Sequence, residues 1–175
     1  MMRLVAGLIF CTLAVNPLGQ ECVVLLHGLA RTSNSMNRLE AALEQSGYDV
    51  INFDYPSRHR AVEELARTVI PEVIKRCEDK QTRSINFVTH SLGGILVRYY
   101  FERHDPAQVD RVVMLGPPNK GSEVVDNLED MPGFELLNGP AGMQLGTGED
   151  DIPAGLGPVN FELGVIAGTR SINLI

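Results

Sequence analysis

Ser91 is the residue of this sequence best placed to do chemistry. It lies in Thr89-His90-Ser91-Leu92-Gly93-Gly94, after a strand-like run (Arg83 to Val88, RSINFV) and before an apolar, helix-like run (Gly93 to Phe101). A serine on so sharp a strand-to-helix turn projects its hydroxyl at the top of a sheet, where a substrate carbonyl can reach it. The chemistry expected of it is nucleophilic acyl transfer. The small Gly93 would let the helix pack close to the strand. Thr89 stands where the common G-x-S-x-G pattern has glycine, so the match is a variant. The same six residues also read as a helix N-terminus with a capping serine.

A second group of residues supports acyl transfer. Glu21 to Leu26 (ECVVLL) is another strand-like run, and it ends in His27-Gly28-Leu29. A tetrahedral oxyanion needs two backbone N–H groups: one after the nucleophile, one from the loop following an earlier strand. Here those donors would belong to Leu92 and Leu29, with Gly28 allowing the close backbone approach. Each such donor lowers an acyl-transfer barrier by about 3–4 kcal/mol. The two motifs occur in the required order, about sixty residues apart.

The elements that must position these groups alternate along the chain. An amphipathic helix carries Met36, Leu39, Ala42 and Leu43 on one face and stops at Gly47. Tyr48 to Phe53 reads as a strand, and Asp54 to Ser57 as a turn. A longer helix turns Val62, Leu65, Ala66, Val69, Val73 and Ile74 inward, and Pro71 should kink or restart it. Beyond the elbow come a helix from Leu92 to His104, a strand from Arg111 to Leu115 and a late strand from Leu163 to Ala167. Five β segments with helical crossovers predict an α/β fold, a parallel doubly wound sheet covered on both faces.

Residues 116–162 break this rhythm. They are rich in Gly and Pro, and they leave the carboxyl end of a strand, the face where such folds bind ligands. They read as a cap or lid-like insertion. Met131, Phe134, Leu136, Leu137 and Met143 either wall a substrate pocket or pack the insertion onto the body.

At 175 residues the chain is long enough for one domain with a good core. Its net charge is −7, and no basic stripe appears that could neutralise phosphates, which argues against a nucleic-acid partner. The four histidines and three cysteines show none of the spacings of a metal site. Met1-Met2-Arg3 followed by apolar Leu4 to Val15 and Asn16-Pro17 reads as an export signal over residues 1–19, cleaved after Ala14 or near Gly19. The alternative is a first core strand. Export would leave Cys22 and Cys77 as an even pair in an oxidising compartment, periplasmic or extracellular. The remaining 20–175 form the catalytic-type domain.

Four segments carry a family resemblance: Val23 to Thr32 (VVLLHGLART), Phe87 to Gly94 (FVTHSLGG), Val112 to Glu123 (VVMLGPPNKGSE) and Gly164 to Ser171 (GVIAGTRS). The chain resembles the α/β-hydrolase superfamily, and within it the bacterial lipase/esterase-type hydrolases with an H-G-L oxyanion loop. The resemblance implies Ser91 as nucleophile, Leu29 and Leu92 as backbone oxyanion donors, and hydrolysis of small-molecule or lipid carboxylic esters through an acyl-enzyme without cofactor. Peripheral contact with a lipid surface is a further expectation.

The triad is the point of departure from that family. Acid and base should follow the serine in the order Ser, Asp/Glu, His. After Ser91 the only histidine is His104, which thirteen residues of helix would carry about 20 Å away. His90 is expected to point away from the elbow, His59 precedes it in the chain, and His27 either braces the oxyanion loop or acts as base. His27 and His90 join Met131, Phe134 and Leu137 as expected pocket residues. Acid and base are therefore expected beyond Ile175, so that 20–175 is a partial hydrolase domain. The other reading is an inert fragment or a non-catalytic acyl-binding or scaffold protein.

Overall fold

A computed structural model describes residues 20–168; the expected export signal lies outside them. Five strands form one sheet: β1 (Cys22–Leu26), β2 (Asp49–Phe53), β3 (Ile85–His90), β4 (Val109–Leu115) and β5 (Glu162–Ile166). The order is β2-β1-β3-β4-β5 and every pairing is parallel. The helices α1 (Asn37–Gln45), α2 (Val62–Asp79) and α3 (Leu92–Phe101) supply the crossovers. This is the α/β architecture that the alternating periodicities predict.

The sequence of β1 explains its interior place between β2 and β3. All five of its residues are buried, and its continuous apolar run suits a strand covered on both faces. Val24 and Leu26 join Ile51, Phe87, Val112 and Met114 in the main core beneath α2 and α3. Val23 and Leu25 face the other way, into a smaller cluster with Met36, Leu39 and Leu43. Alternation along one strand thus feeds two cores of unequal size.

Four elements differ from expectation: α3 ends at Phe101 short of His104, β4 begins at Val109 ahead of Arg111, and α2 and β3 depart further. α2 runs unbroken through Pro71 for 18 residues and buries Val62, Leu65, Ala66, Val69, Ile70, Val73 and Cys77. The ring removes one hydrogen bond, but seven buried side chains along one face outweigh that loss. The elbow strand extends to His90, past the expected end at Val88, so that Thr89 and His90 still pair with β4.

Cys22 and Cys77 form a disulfide that ties the start of β1 to the end of α2. Closing a loop of that sequence separation, 55 residues, restricts the unfolded chain by about 4 kcal/mol.

The insertion folds into three short helices, α4 (Glu123–Leu128), α5 (Phe134–Met143) and α6 (Ile152–Gly155). Val125, Ala141 and Leu145 enter the main core. Phe134, Ile152, Leu156 and Phe161 pack against it half-buried, and polar contacts add to the anchoring. The Gln144 side chain accepts from the Val62 N–H (2.8 Å) and donates to Glu63 (2.9 Å), fastening α5 to the start of α2. Asp126 accepts from the Thr147 N–H and hydroxyl (2.8 and 2.7 Å). Arg98 on α3 donates to Asn119 at one end of the insertion and to the carbonyls of Leu156 and Gly157 at the other (3.0–3.2 Å).

Candidate active site

Ser91 stands between β3 and α3 with φ 49° and ψ −116°, a left-handed conformation that is costly for a residue with a side chain. The strain is of order 1–3 kcal/mol and persists only where the surroundings over-determine it. Here they do. The Ser91 N–H donates to the Leu115 carbonyl on β4 (3.0 Å), and the Gly94 N–H donates to the Ser91 carbonyl (3.0 Å). Thr89 before it and Leu92 after it are fully buried. The Ser91 side chain makes no capping hydrogen bond to α3, and its φ is not that of a capping residue, so the capping role is excluded.

Glycine is required at two contacts around this turn. A Cβ on Gly93 would meet the Leu26 carbonyl oxygen at 2.8 Å and Leu26 Cβ at 2.9 Å. α3 therefore presses directly on the end of β1. A Cβ on Gly28 would lie 2.6 Å from His90 Nδ1 and 3.3 Å from Ser91 Cβ. The loop after β1 thus touches the elbow itself. Among the described residues neither the Leu29 nor the Leu92 N–H donates to another protein group. Leu92 opens α3, where N–H groups have no partner within the helix.

The histidines divide. His27 is fully buried, not part of an open pocket wall. Its Nδ1 donates to the Gly28 carbonyl (2.9 Å), and its Nε2 accepts from the Tyr55 N–H (3.3 Å). Those partners set the neutral tautomer. The Tyr55 ring stacks on it at 4.1 Å, and the Tyr55 hydroxyl donates to the His27 carbonyl (2.5 Å). Burial pushes the His27 pKa down, against the hydrogen bond to Gly28 and the nearby Asp54 carboxylate. Both ring nitrogens are occupied, so His27 acts as a brace between the loops that follow β1 and β2.

His90 does not point away from the elbow as expected. Strand alternation ends with β3, and the ring turns over Gly28 beside Ser91. Partial burial depresses its pKa, helped by the Arg31 cation and by His27. His104 stacks on Tyr100 (4.0 Å) at the far end of α3, away from Ser91. His59 lies in the loop after β2, beside Arg58, Glu135 and Leu136.

The expected apolar wall separates as well. Phe134 packs against the main core. Met131 and Leu137 are 56% and 63% exposed, and Leu136 is 87% exposed. Two residues that position the site escaped sequence reading. Tyr55 sat in an apparent turn, although an aromatic in Asp-Tyr-Pro was a signal for a buried anchor. Arg98 interrupts the apolar run from Gly93 to Phe101, and a lone cation there marks a structural partner.

A parallel α/β sheet with a strained serine between its central β3 and a buried helix defines an elbow-type α/β protein. The chain belongs to the alpha/beta hydrolase fold family, whose sequence model matches residues 21–166. Solved structures agree on the fold. Phospholipase PlaB from Legionella pneumophila superposes with a TM-score of 0.65 at 18% identity, over 85% of this chain and 39% of that one. Mature lipase BlEst2 from Bacillus licheniformis gives 0.63 at 22% identity, over 75% of this chain and 56% of that one. The monoacylglycerol lipase of Paleococcus ferrophilus gives 0.50 at 26% identity, over 66% and 50%. The chain thus spans between about two fifths and three fifths of the length of these structures. No curated protein matches it significantly.

Proposed function

We propose that the protein is an exported hydrolase of carboxylic esters that works through an acyl-enzyme on Ser91. In this reading the Ser91 hydroxyl attacks the acyl carbonyl. The N–H groups of Leu29 and Leu92 receive the oxyanion, and collapse of the tetrahedral intermediate expels the alcohol. Water then releases the acid by the same route. The carrying observation is the strained backbone at Ser91, held by β4 and touched by the Gly28 loop. Strain that a fold holds so firmly at a half-buried turn is characteristic of functional positions.

The base and its orienting acid are the missing parts. Among the described residues, His27 has both nitrogens engaged, and His90 and His59 have no carboxylate bonded to either ring nitrogen. The proposal assigns both roles to polypeptide following Ile175. The export part of the reading is supported by the disulfide, since such bonds persist in oxidising compartments. Residues 116–162 act as a cap over the carboxyl edge of the sheet, and the exposed Met131, Leu136 and Leu137 make it the face nearest to lipid.

The test is intact-mass analysis after treatment with a fluorophosphonate probe, on the 175-residue chain and on a longer form carrying further sequence. One adduct on the longer form, absent in Ser91→Ala, is expected; labelling that survives Ser91→Ala would sink the nucleophile assignment. Losing the base lowers acyl-transfer rates by several orders of magnitude, so the 175-residue chain should label far more slowly.

A further inference from the structure

Two arginines face one cleft beside the elbow. Arg31 lies two residues after Leu29, in the loop following β1, and Arg58 lies in the loop following β2. Arg31, Thr32, Asp54, Arg58 and His59 line a cavity of ≈ 330 Å³. Arg58 and His59 also line a second cavity of ≈ 520 Å³, which runs on to Glu135, Leu136 and Pro140 of α5. The shared residues make them one groove, of a size that holds a ligand with tens of atoms. Its near end is Arg31, two residues beyond Leu29 in the loop after β1.

The groove is held rigidly. The Ser33 N–H donates to the Asp54 carboxylate (2.9 Å), joining the two loops, and Asn52 at the end of β2 donates to the Ser33 carbonyl (3.1 Å). The His27–Tyr55 stack locks them from beneath. On the far side the Arg58 carbonyl presses on Gly139 of α5, where φ is +66° and a Cβ would lie only 1.7 Å from that oxygen. Loops so fixed present their side chains in a set geometry.

The charges are also available. Among the described residues neither Arg31 nor Arg58 forms an ion pair or a side-chain hydrogen bond, whereas Arg60 beside them pairs with Glu64. The Asp54 carboxylate already accepts from Ser33, and Glu135 stands at the α5 end, away from Arg31. Residues 121–161 contain no Lys or Arg, so the negative charge of this −7 chain is concentrated in the insertion. An anion approaching the elbow is repelled by that side and drawn to the two arginines. Guanidinium forks suit carboxylate and phosphate oxygens, which they bind bidentately.

We infer that the Arg31–Arg58 groove binds an anionic group, phosphate or carboxylate, carried by the ester substrate and set apart from its scissile carbonyl. The inference rests on the ester-hydrolase reading and names a substrate class for it: anionic esters rather than neutral ones. Binding can be read without turnover, which keeps its failure distinct from a failure of the Ser91 assignment.

The experiment is titration of the 175-residue chain with octyl phosphate, octanoate and uncharged octyl glucoside, followed by calorimetry and by amide NMR shifts. Saturable binding of octyl phosphate or octanoate, with shifts at Arg31, Arg58 and His59 and at least tenfold weaker binding of octyl glucoside, is expected. Binding of both anions assigns the groove to oxyanions generally; binding of one alone assigns it to that source. Arg31→Gln and Arg58→Gln should each weaken anion binding tenfold or more. Arg38→Gln on α1 should not change it, and Arg58→Lys should restore part of it. Equal binding of octyl glucoside, or Arg31 and Arg58 variants that bind like the parent while retaining its circular dichroism spectrum, overturns the inference. Ser91→Ala should bind the anions unchanged.

Discussion

The elbow and the insertion hold their backbones by opposite means. Around Ser91 the chain is fixed by apolar burial and backbone contact: Leu92, Leu96 and Val97 are fully buried, and Gly93 leaves no gap against β1. In 116–162 only Val125, Ala141 and Leu145 are buried in the core, four further apolar side chains pack on it half-buried, and Gln144, Asp126 and Arg98 add hydrogen bonds. The lesson concerns cooperativity. A region held by burial opens only when the domain unfolds, whereas one held by a handful of polar contacts can open by itself. Strain at the elbow needs the first kind of support. If residues 116–162 are the cap proposed above, the second kind suits a segment that must admit substrate.

The comparison can be broken most forcefully at the disulfide, which stabilises the whole domain. Cys77→Ser should cost about 4 kcal/mol, lowering the denaturant midpoint of elbow and insertion together. A fall confined to one of the two regions would contradict a stabilisation of the whole domain. Next in size is Gly93→Ala. The added methyl meets backbone at 2.8 Å and should cost about 3 kcal/mol, raising hydrogen exchange throughout β1, β3 and α3. Loss confined to the insertion would reverse the assignment of roles.

Arg98→Met sharpens the contrast from the other side. It keeps the aliphatic volume but removes four donated hydrogen bonds, at about 2 kcal/mol. Amides of 117–158 should exchange faster while those of β1 and β3 keep their protection. If β1 and β3 lose protection equally, the two regions are not independent.

The smallest effect is a pH dependence. Burial holds the His27 pKa below its unfolded value of 6.5. As pH falls below 6.5 the unfolded chain takes up a proton that the folded chain refuses, so stability declines until the folded pKa is reached. His90 is shifted the same way and adds to the slope. Urea midpoints between pH 7.5 and 5 should fall, and less steeply in His27→Gln. A slope unaltered by that substitution would place the proton elsewhere.

Legibility in the sequence follows the range of the interaction. The 2.0 and 3.6 periodicities of β1, α2 and α3 are written in residues a few positions apart, and the strand–turn–helix of Phe87 to Gly94 needs nothing beyond itself. These were readable, and with them the parallel α/β sheet and the position of the elbow. The run through Pro71 was misread because a local rule was applied where seven buried side chains decide. The insertion was readable as an interruption but not as three helices, because its Gly and Pro residues suppress periodicity.

The sequence by itself determined which residues could form strands and helices, and where a serine would meet a sharp turn. Only the tertiary structure decided that Cys22 meets Cys77, that His27 is a brace stacked on Tyr55 and not an open pocket residue, and that His90 folds over Gly28. It also decided that Arg31 and Arg58 share one groove. The physical reason is the parallel crossover. Each one carries the chain across the sheet through a helix, so groups 20 to 60 residues apart become neighbours by packing, and packing leaves no local mark in the sequence.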